Sequence, residues 1–203
     1  MFSHFFAVLS RMKYINRWGL MRNTRPESLS EHALEVAVLA QALALIANRY
    51  FGASLDSDRA AVLGLYHDIS EILTGDLPTP VKYANDEMRA AYKAIERQAG
   101  ERLLALLPAE LRGDYGARME PAGPDEALRP YIKAADKLSA VIKCTEERRQ
   151  GNREFDSALR TTTAAVHALE LPAAEYFMRV FLPSYGLTLD EQGSGIQKPE
   201  TII

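Results

Sequence analysis

The sequence predicts an all-α protein folded as a single helical bundle, and three observations support that prediction. Apolar residues recur at spacings of three and four along nearly the whole chain, which is the helical period. No run alternates for long between apolar and polar residues, as a half-buried strand would. No internal repeat or low-complexity linker divides the 203 residues, and 47% of them are hydrophobic, which is enough for one substantial core.

The first half of the chain predicts three helices. The apolar stripe of residues 2–16 predicts the first. Ser28 is followed by Glu31 at the spacing of a capping box, so a second helix opens there and runs to about Asn48. Its apolar face is expected to comprise Leu34, Val38, Ala42 and Leu45. Polar capping residues at 54–58 begin a third helix, which is expected to continue to about Leu73 and to stop at Gly75.

The second half predicts further helices separated by proline and glycine. The predicted ranges are 85–107, 124–150, 153–169 and 172–182. Pro130 must end or kink the first turns of the second of these, and 108–124 is expected to be a loop that holds a short helix. Residues 1–191 are therefore expected to form the domain, and residues 192–203, which lack periodicity, a loosely held tail.

Composition points to an ordinary soluble protein. The formal net charge of −3 gives no global electrostatic reason to bind polymeric nucleic acid or a membrane surface. Cys144 is the single cysteine, which excludes an intrachain disulfide, and its helical setting favours a buried small hydrophobe. The N-terminal stretch lacks the basic and small-residue features of a signal peptide, so we expect a cytoplasmic protein.

Gly64 to Pro80, "GLYHDISEILTGDLPTP", sets polar residues beside an apolar helical stripe. His67 and Asp68 are standard ligands of divalent metals, and burying them without partners would be costly. Candidate partners on other helices are His32, after the capping box, and Asp136, which has apolar neighbours. The alternatives are a satisfied core pair for His67 and Asp68, and an ion pair with Lys133, Lys137 or an arginine for Asp136. His4 and His167 are better interpreted as structural or surface residues.

These motifs resemble a known family. A histidine, a His-Asp pair and an aspartate on successive helices are the signature of the HD-domain metal phosphohydrolases. The stretches "SHFFAVLSRMKYINRW", "RPESLSEH", "YHDISEILTGDLPTPVKY" and "KAADKLSAVIKCTEE" are similar to the bacterial HD-domain 5′-deoxynucleotidases of the YfbR type, across roughly residues 1–191. Ile72 follows Glu71, whereas guanosine-tetraphosphate hydrolases carry an aspartate at that position, which disfavours that branch.

The resemblance implies an all-α HD domain that removes the 5′-phosphate from deoxyribonucleoside 5′-monophosphates. It implies one divalent cation, such as Co²⁺, Mn²⁺, Zn²⁺ or Mg²⁺, held by His32, His67, Asp68 and Asp136. Hydroxide on that ion is then expected to attack phosphorus in line with the departing 5′ oxygen. Glu71 would either orient the water or protonate the leaving oxygen. An exposed carboxylate paired with a lysine or arginine is the alternative for Glu71.

The resemblance also implies a nucleotide pocket. Arg17 would orient the phosphate, and Trp18 would wall the sugar, leaving a 2′-hydroxyl without room or a hydrogen-bond partner. A cation–aromatic cap at a helix end is the alternative for this pair. The stiff loop after the catalytic helix would hold the nucleotide, with Asp76 on the 3′-hydroxyl; a local helix cap is its alternative. The full expected substrate-binding set is Arg17, Trp18, His32, Asp68, Asp76, Leu77, Pro78, Thr79, Pro80 and Asp136.

Two other functions stay open at this point. One is an HD hydrolase acting on nucleoside triphosphates, cyclic nucleotides or other phosphomonoesters. The other is a non-catalytic helical scaffold or sensor that retains a structural ion. Members of the resembled family are homodimers, and the apolar faces of 85–107 and 153–182 are larger than one cleft needs, so self-association is expected. The sequence does not identify the metal or the base preference.

Overall fold

The computed structural model describes residues 2–82 and 84–194, and within them the protein is built from helices, which confirms the all-α prediction. The α-helices are α1 Phe5–Leu9, α2 Leu29–Tyr50, α3 Ser57–Tyr66, α4 Glu71–Thr74, α5 Thr79–Lys82, α6 Asp86–Ala105, α7 Ala109–Met119, α8 Arg129–Arg149, α9 Asp156–His167, α10 Pro172–Val180 and α11 Leu189–Ser194. Between them lie 3-10 helices at Ser10–Tyr14, Gly123–Leu128, Arg153–Phe155 and Leu182–Gly186. The described residues contain one isolated bridge, Asn16 to Ser28.

Helix α2 is the centre of the bundle and begins at the predicted capping box. The Ser28 side chain accepts from the Glu31 backbone N–H, and the Glu31 carboxylate accepts from the Ser28 backbone N–H at 2.8 Å. Helices α3, α8 and α10 pack around α2, and the main core includes Leu43, Leu63 and Leu138, each almost fully buried. This packing holds the N-terminal turn of α2 against α8, where the candidate site lies.

The predicted apolar face of α2 was wrong. Leu34, Val38 and Leu45 are 61%, 59% and 51% exposed, whereas Val36 and Leu43 are buried. The helix is apolar on both sides, and its inward face carries many small alanines because α3 crosses it closely. The sequence alone therefore favoured the face with the larger side chains, which points outward.

The close crossing of α2 and α3 depends on Gly64. A Cβ added there would lie 3.0 Å from the Ala37 Cα and 3.1 Å from the Val36 carbonyl oxygen, closer than a side chain tolerates. Glycine thus lets the C-terminal end of α3 approach α2. This approach brings the residues that follow α3 next to the first turn of α2.

The third helix is also shorter than predicted. It ends at Tyr66 rather than Leu73, and residues 67–70 form a turn before α4. The Ile69 N–H donates to the Tyr66 carbonyl at 3.2 Å, and Glu71 to Asp68 at 2.9 Å, so the backbone tightens to a three-residue spacing. Consecutive side chains on an α-helix point about 100° apart. The turn lets two consecutive polar side chains face one site.

The predicted stops and breakers are largely confirmed. Gly75 ends α4 with φ +73° and donates its N–H to the Glu71 carbonyl at 2.8 Å. Pro130 occupies the first turn of α8, as expected. Helix α6 matches the predicted 85–107, and the 108–124 segment holds α7, a longer helix than expected. The N-terminal stretch is α1 followed by a 3-10 helix rather than one continuous helix.

The C-terminal end extends slightly beyond the predicted domain boundary. Helix α11 includes residues 192–194 of the predicted tail, while residues 195–203 lie outside the described residues. The division at residue 191 stays a prediction. Helix α2 is long and apolar enough, by length and composition, to cross a membrane, but 56% of the relevant stretch is buried in the protein. Core helices of soluble proteins pass the same test.

Candidate active site

The four candidate metal ligands come together from three separate parts of the chain. His32 lies in the first turn of α2, His67 and Asp68 in the turn after α3, and Asp136 on α8. One ligand atom from each lies within 4.8 Å of all the others. His32 Nε2 is 3.5 Å from Asp68 Oδ2 and 3.4 Å from Asp136 Oδ1, while His67 Nε2 is 3.0 Å from Asp68 Oδ2. This His32–His67–Asp68–Asp136 group, the candidate metal-ligand group, could hold a metal ion.

The hydrogen bonds of the two imidazoles direct one nitrogen of each toward the group. His67 Nδ1 lies 2.7 Å from the Gly64 carbonyl, an acceptor, so Nδ1 carries the proton. His32 Nδ1 lies 3.0 Å from the Ser139 hydroxyl, which donates its own hydrogen to Glu35 Oε2 at 2.5 Å. The hydroxyl therefore accepts from His32 Nδ1–H. In the neutral form of each ring Nε2 is therefore the acceptor, and this is the form that binds metals.

Both Nε2 atoms are buried and lack a hydrogen bond among the described residues. A buried polar atom without a partner is costly and marks a place where something else binds. Two neutral imidazole nitrogens and two carboxylates are a donor set that suits a divalent transition metal. The donor chemistry and these orphaned atoms thus fit a bound cation.

The electrostatics of the metal-free group indicate a demand for positive charge. Burial lowers the pKa of His67, but the Asp68 and Asp136 carboxylates outweigh it and raise the pKa to about 9. Burial raises the pKa of Asp136, but the imidazole of His32, 3.4 Å away, outweighs it and holds the pKa at about 2. The Asp68 pKa is likewise well below its usual range, since the imidazoles overcome burial. A proton on His67 occupies the role that a cation would fill.

Glu71, the first residue of α4, is 1% exposed. Its Oε1 accepts from Lys82 Nζ at 3.1 Å, and its buried Oε2 has no hydrogen-bond partner among the described residues. Burial and the nearby Asp68 carboxylate raise its pKa to about 7 against the opposing effect of Lys82. The alternative prediction for Glu71 was an exposed carboxylate paired with a lysine or arginine. It is wrong about the exposure, although a lysine partner is present.

Lys82 was missed by the sequence reasoning. Besides Glu71, its ammonium lies 3.4 Å from Glu96 Oε1 and 4.7 Å from the centre of the Tyr92 ring, both on α6. The side chain is 20% exposed. The spacing of 11 residues between Glu71 and Lys82 does not predict this contact, because the path of the loop between α4 and α5 brings the two side chains together.

Arg17 reaches the edge of the metal-ligand group from the loop between the first 3-10 helix and α2. Its side chain is 11% exposed, with Nη1 3.7 Å from Asp68 Oδ2 and Nε 3.5 Å from Glu27 Oε2. Burial lowers the pKa of the guanidinium, but Asp136 and Glu27 more than compensate, so it stays charged. A buried permanent cation beside the group is suited to an anionic ligand.

Trp18 is held at three points. Its backbone N–H donates to Asp76 Oδ2 at 3.3 Å, and its indole N–H donates to Glu27 Oε2 at 2.7 Å. Its ring lies 5.4 Å from that of Phe155, centre to centre. Its backbone φ is +60°, the left-handed region that residues with a side chain rarely adopt. Asp76 and Trp18, which were predicted to face one sugar, are therefore adjacent.

The loop after α4 is described only in part. Asp76, Leu77 and Pro78 are half-buried and Pro80 is exposed, while the side chain of Thr79 lies outside the described residues. The Pro78 carbonyl accepts from the Val81 N–H at 2.8 Å, which starts α5. Asp76 meets Trp18; the roles of Leu77, Pro78, Thr79 and Pro80 in substrate binding stay predictions.

Other supporting residues were also missed. Ser139 follows Asp136 by one helical turn, so its position on the same face of α8 was available from the sequence. Glu27 and Glu35 gave no such signal, because a loop separates Glu27 from Arg17 and Trp18, and Ser139 is distant from Glu35 in the sequence. Elsewhere, His167 pairs with Glu175 at 2.7 Å on the surface, and Cys144 is buried, with burial raising its pKa to about 12, as expected of structural residues.

The chain is similar to known proteins along most of its length. A family model described as 5′-deoxynucleotidase YfbR-like matches residues 4–185. The chain is 49% identical over 189 residues to a protein named 5′-deoxynucleotidase YfbR from Escherichia coli strain SE11, covering 93% of this chain and 95% of that one.

Solved structures share the fold. An HD-domain phosphohydrolase from Listeria innocua superposes with a TM-score of 0.77 at 23% identity, over 90% of this chain and 88% of the other. A protein from Pyrococcus horikoshii OT3 superposes with a TM-score of 0.66 at 20% identity, over 90% and 97%. At these identities the two structures establish the fold alone.

Proposed function

Because the chain belongs to the YfbR-like 5′-deoxynucleotidase family, we propose that it hydrolyses deoxyribonucleoside 5′-monophosphates to deoxyribonucleosides and phosphate. The observation that carries this proposal is the buried Arg17 guanidinium set against a group of two imidazoles and two carboxylates whose Nε2 atoms lack partners among the described residues. Such a site fits a divalent cation and a phosphoryl group side by side.

His32, His67, Asp68 and Asp136 would hold one divalent cation. When bound, that ion supplies Lewis acidity, which lowers the pKa of a water and neutralises phosphoryl charge. Two imidazole donors favour a first-row transition ion such as Co²⁺, Mn²⁺ or Zn²⁺ over Mg²⁺, which prefers oxygen ligands. The Ser139 and Gly64 contacts fix the imidazole tautomers, so that both rings present Nε2.

Arg17 would bind the phosphate. Its guanidinium is almost buried and lies 3.7 Å from the Asp68 carboxylate, which places a fixed cation at the edge of the metal-ligand group. A guanidinium offers paired N–H donors that match two phosphate oxygens. It would therefore orient the phosphate so that the bond to the 5′ oxygen faces away from the attacking water.

Glu71 would act as the general acid. Its Oε1 is taken by Lys82, so the proton is carried on Oε2, the atom without a partner among the described residues. A pKa near 7 keeps part of the population protonated at neutral pH and able to donate to the departing 5′ oxygen. The same buried position excludes water from this proton.

Trp18 and Asp76 would face the sugar. The indole presents a flat apolar surface, and a 2′-hydroxyl against it would lose its hydration without gaining a hydrogen bond. The Asp76 carboxylate, one oxygen of which already accepts from the Trp18 N–H, would use its other oxygen for the 3′-hydroxyl. This division would select deoxyribose without reading the base.

We also propose that the protein is a cytoplasmic homodimer that binds neither polymeric nucleic acid nor a membrane. Leu34, Val38 and Leu45 are spaced four and seven residues apart, so they lie along one side of α2, and each is more than half exposed. A second copy would cover this apolar stripe. Light scattering of the wild type and of a Val38→Glu variant tests the dimer, which the charged variant is expected to weaken.

Phosphate release from matched deoxy- and ribonucleoside 5′-monophosphates, with and without chelator, tests the activity. We expect metal-dependent release that favours the deoxy compounds and varies little with the base. Equal rates on ribo compounds would point to a general phosphomonoesterase. Release that is insensitive to chelator would contradict the role of the metal-ligand group.

A further inference from the structure

We propose that Glu27 is a specificity-positioning residue, whose carboxylate sets the orientation of the Trp18 indole and occupies its one hydrogen-bond donor. This inference rests on the proposed deoxynucleotidase function, because it concerns how the sugar is selected. Glu27 lies outside the expected metal and substrate residues, and it acts through Trp18 and Arg17 rather than on the substrate.

The geometry puts one carboxylate oxygen between two residues of the expected nucleotide pocket. Glu27 Oε2 accepts the indole N–H at 2.7 Å, a short charge-assisted bond, and lies 3.5 Å from Arg17 Nε. The side chain of Glu27 is 13% exposed, so solvent competes little for these contacts. The Arg17 backbone N–H also donates to the Glu27 carbonyl at 2.9 Å, which joins the two arms of the loop.

The chemistry of indole explains why this contact bears on specificity. Indole has one polar atom, an N–H that only donates. A free N–H near the sugar could bond a 2′-hydroxyl and compensate its desolvation. When that donor is bound to Glu27, the ring presents only C–H groups and its apolar face to the sugar. The contact would therefore withhold the partner that a ribose would need.

The loop that carries Glu27 is itself fixed by a second carboxylate. Glu147 on α8 accepts from the Thr24 backbone N–H at 2.9 Å and from its hydroxyl at 2.8 Å. Lys143 Nζ donates to the Arg25 carbonyl at 2.6 Å. Glu27 follows this fixed segment directly and precedes the capping box of α2. Its carboxylate is thus presented from a rigid backbone, as positioning a ring requires.

Trp18 is the only tryptophan in the chain, so its fluorescence reports on this contact independently of catalysis. The test compares wild type with Glu27→Ala and Glu27→Gln for kcat/KM on one deoxy- and ribonucleoside 5′-monophosphate pair, and for emission maximum and anisotropy. We expect Glu27→Ala to reduce the deoxy-to-ribo ratio about tenfold and to shift the emission. Glu27→Gln keeps an acceptor for the indole, so it should keep the ratio. It should raise KM, because the ion pair that orients the Arg17 guanidinium is lost.

Glu154→Gln is the matched control for loosening of the loop. Glu154 accepts from the Arg22 side chain at 3.0 Å in the same region, and among the described residues its carboxylate forms no hydrogen bond with Trp18. We expect it to leave the ratio and the emission unchanged. A Trp18→Phe variant removes the N–H but keeps a ring, so adding Glu27→Ala to it should change the ratio no further.

The outcomes separate the two proposals. A wild type without deoxynucleotidase activity would refute the proposed function, and an emission unchanged by Glu27→Ala would still overturn the positioning role. A selective wild type whose ratio is unchanged in Glu27→Ala would overturn the inference alone. If Glu27→Ala does not fold, Glu27→Met, which fills similar space without a carboxylate acceptor, takes its place, and an unchanged deoxy-to-ribo ratio in that variant would overturn the inference.

Discussion

Glu71 and Glu147 are two glutamates that are each 1% exposed and each paired with a lysine, yet their surroundings have opposite effects. Glu147 accepts from Lys143 and from donors on Thr24, Arg25 and Asn152. Glu71 accepts from Lys82 at one oxygen, and its other oxygen lacks a partner among the described residues. Burial raises the pKa of Glu147 too, but these donors lower it to about 2, whereas that of Glu71 is raised to about 7.

The difference separates a structural carboxylate from one suited to chemistry. Glu147 is fully satisfied, so its charge is stable and holds the loop that carries Arg17 and Trp18. Glu71 is held in place by one contact and keeps an oxygen for another group, at the cost of an unsatisfied buried atom. Burial alone therefore says little about role; the number of donors around each oxygen distinguishes the two.

Removing the carboxylate of Glu71 is expected to have the largest effect. Glu71→Gln should lower kcat about 10²- to 10⁴-fold, the usual contribution of a general acid, while metal still binds. Its thermal midpoint should not fall, because a neutral amide replaces a costly buried charge. Steady-state kinetics with metal analysis checks this; full turnover with metal bound would show that Glu71 does not move the proton.

Neutralising Glu147 should act on stability instead. From the shift between 4.5 and about 2, Glu147→Gln should lower the free energy of unfolding by about 3 kcal/mol at pH 7. A depressed pKa contributes stability that is present above pH 4.5 and lost as pH falls toward 2, so the deficit should shrink across that window. Urea denaturation at several pH values measures it, with the exposed Glu110→Gln as a control; a constant deficit would contradict the assignment.

Changing the lysine partner of Glu71 should have an intermediate effect. In Lys82→Met the opposing cation is gone, so the pKa of Glu71 should rise further and its carboxyl should lose its fixed orientation. We expect kcat to fall about tenfold, KM to change little, and the pH profile to move to higher pH. Lys82→Arg should restore much of the rate. Glu96→Gln, which touches only the outer side of Lys82, is the control and should change less than Lys82→Met.

Behind the metal-ligand group, the expected change is in metal affinity rather than in turnover. Ser139→Ala removes the acceptor that fixes the His32 tautomer, and it should weaken metal affinity about tenfold, as is usual for residues that orient a ligand. Competition with a chelator of known affinity measures this. An unchanged affinity would mean that burial alone orients the His32 ring.

Several features of the fold and of the candidate site follow from residue types and spacing. The capping box at Ser28, the stop at Gly75 and the fold class are local signals, and the structure confirms them. The candidate ligands could be named because histidine and aspartate are costly beside apolar stripes. Ser139 was accessible by its helical spacing from Asp136, although it was not identified.

Other parts depend on packing that spacing does not encode. The outward side of α2 carries larger apolar residues than its core side, so Leu34, Val38 and Leu45 were wrongly placed inward. The break after Tyr66 arises where two candidate ligands face one site, against the local helical preference. Lys82 and Glu27 meet their partners across loops, where distance along the chain says nothing about proximity.

We propose that one divalent cation in the His32–His67–Asp68–Asp136 group is required to release phosphate from deoxyribonucleoside 5′-monophosphates. The most direct measurement titrates a transition metal ion into chelator-treated protein while phosphate release from one deoxynucleotide is followed. We expect activity to rise in proportion to added metal and to level off at about one ion per chain, with Asp136→Asn reaching neither the binding nor the rate. Full activity without metal, or in Asp136→Asn with no metal bound, would contradict the account.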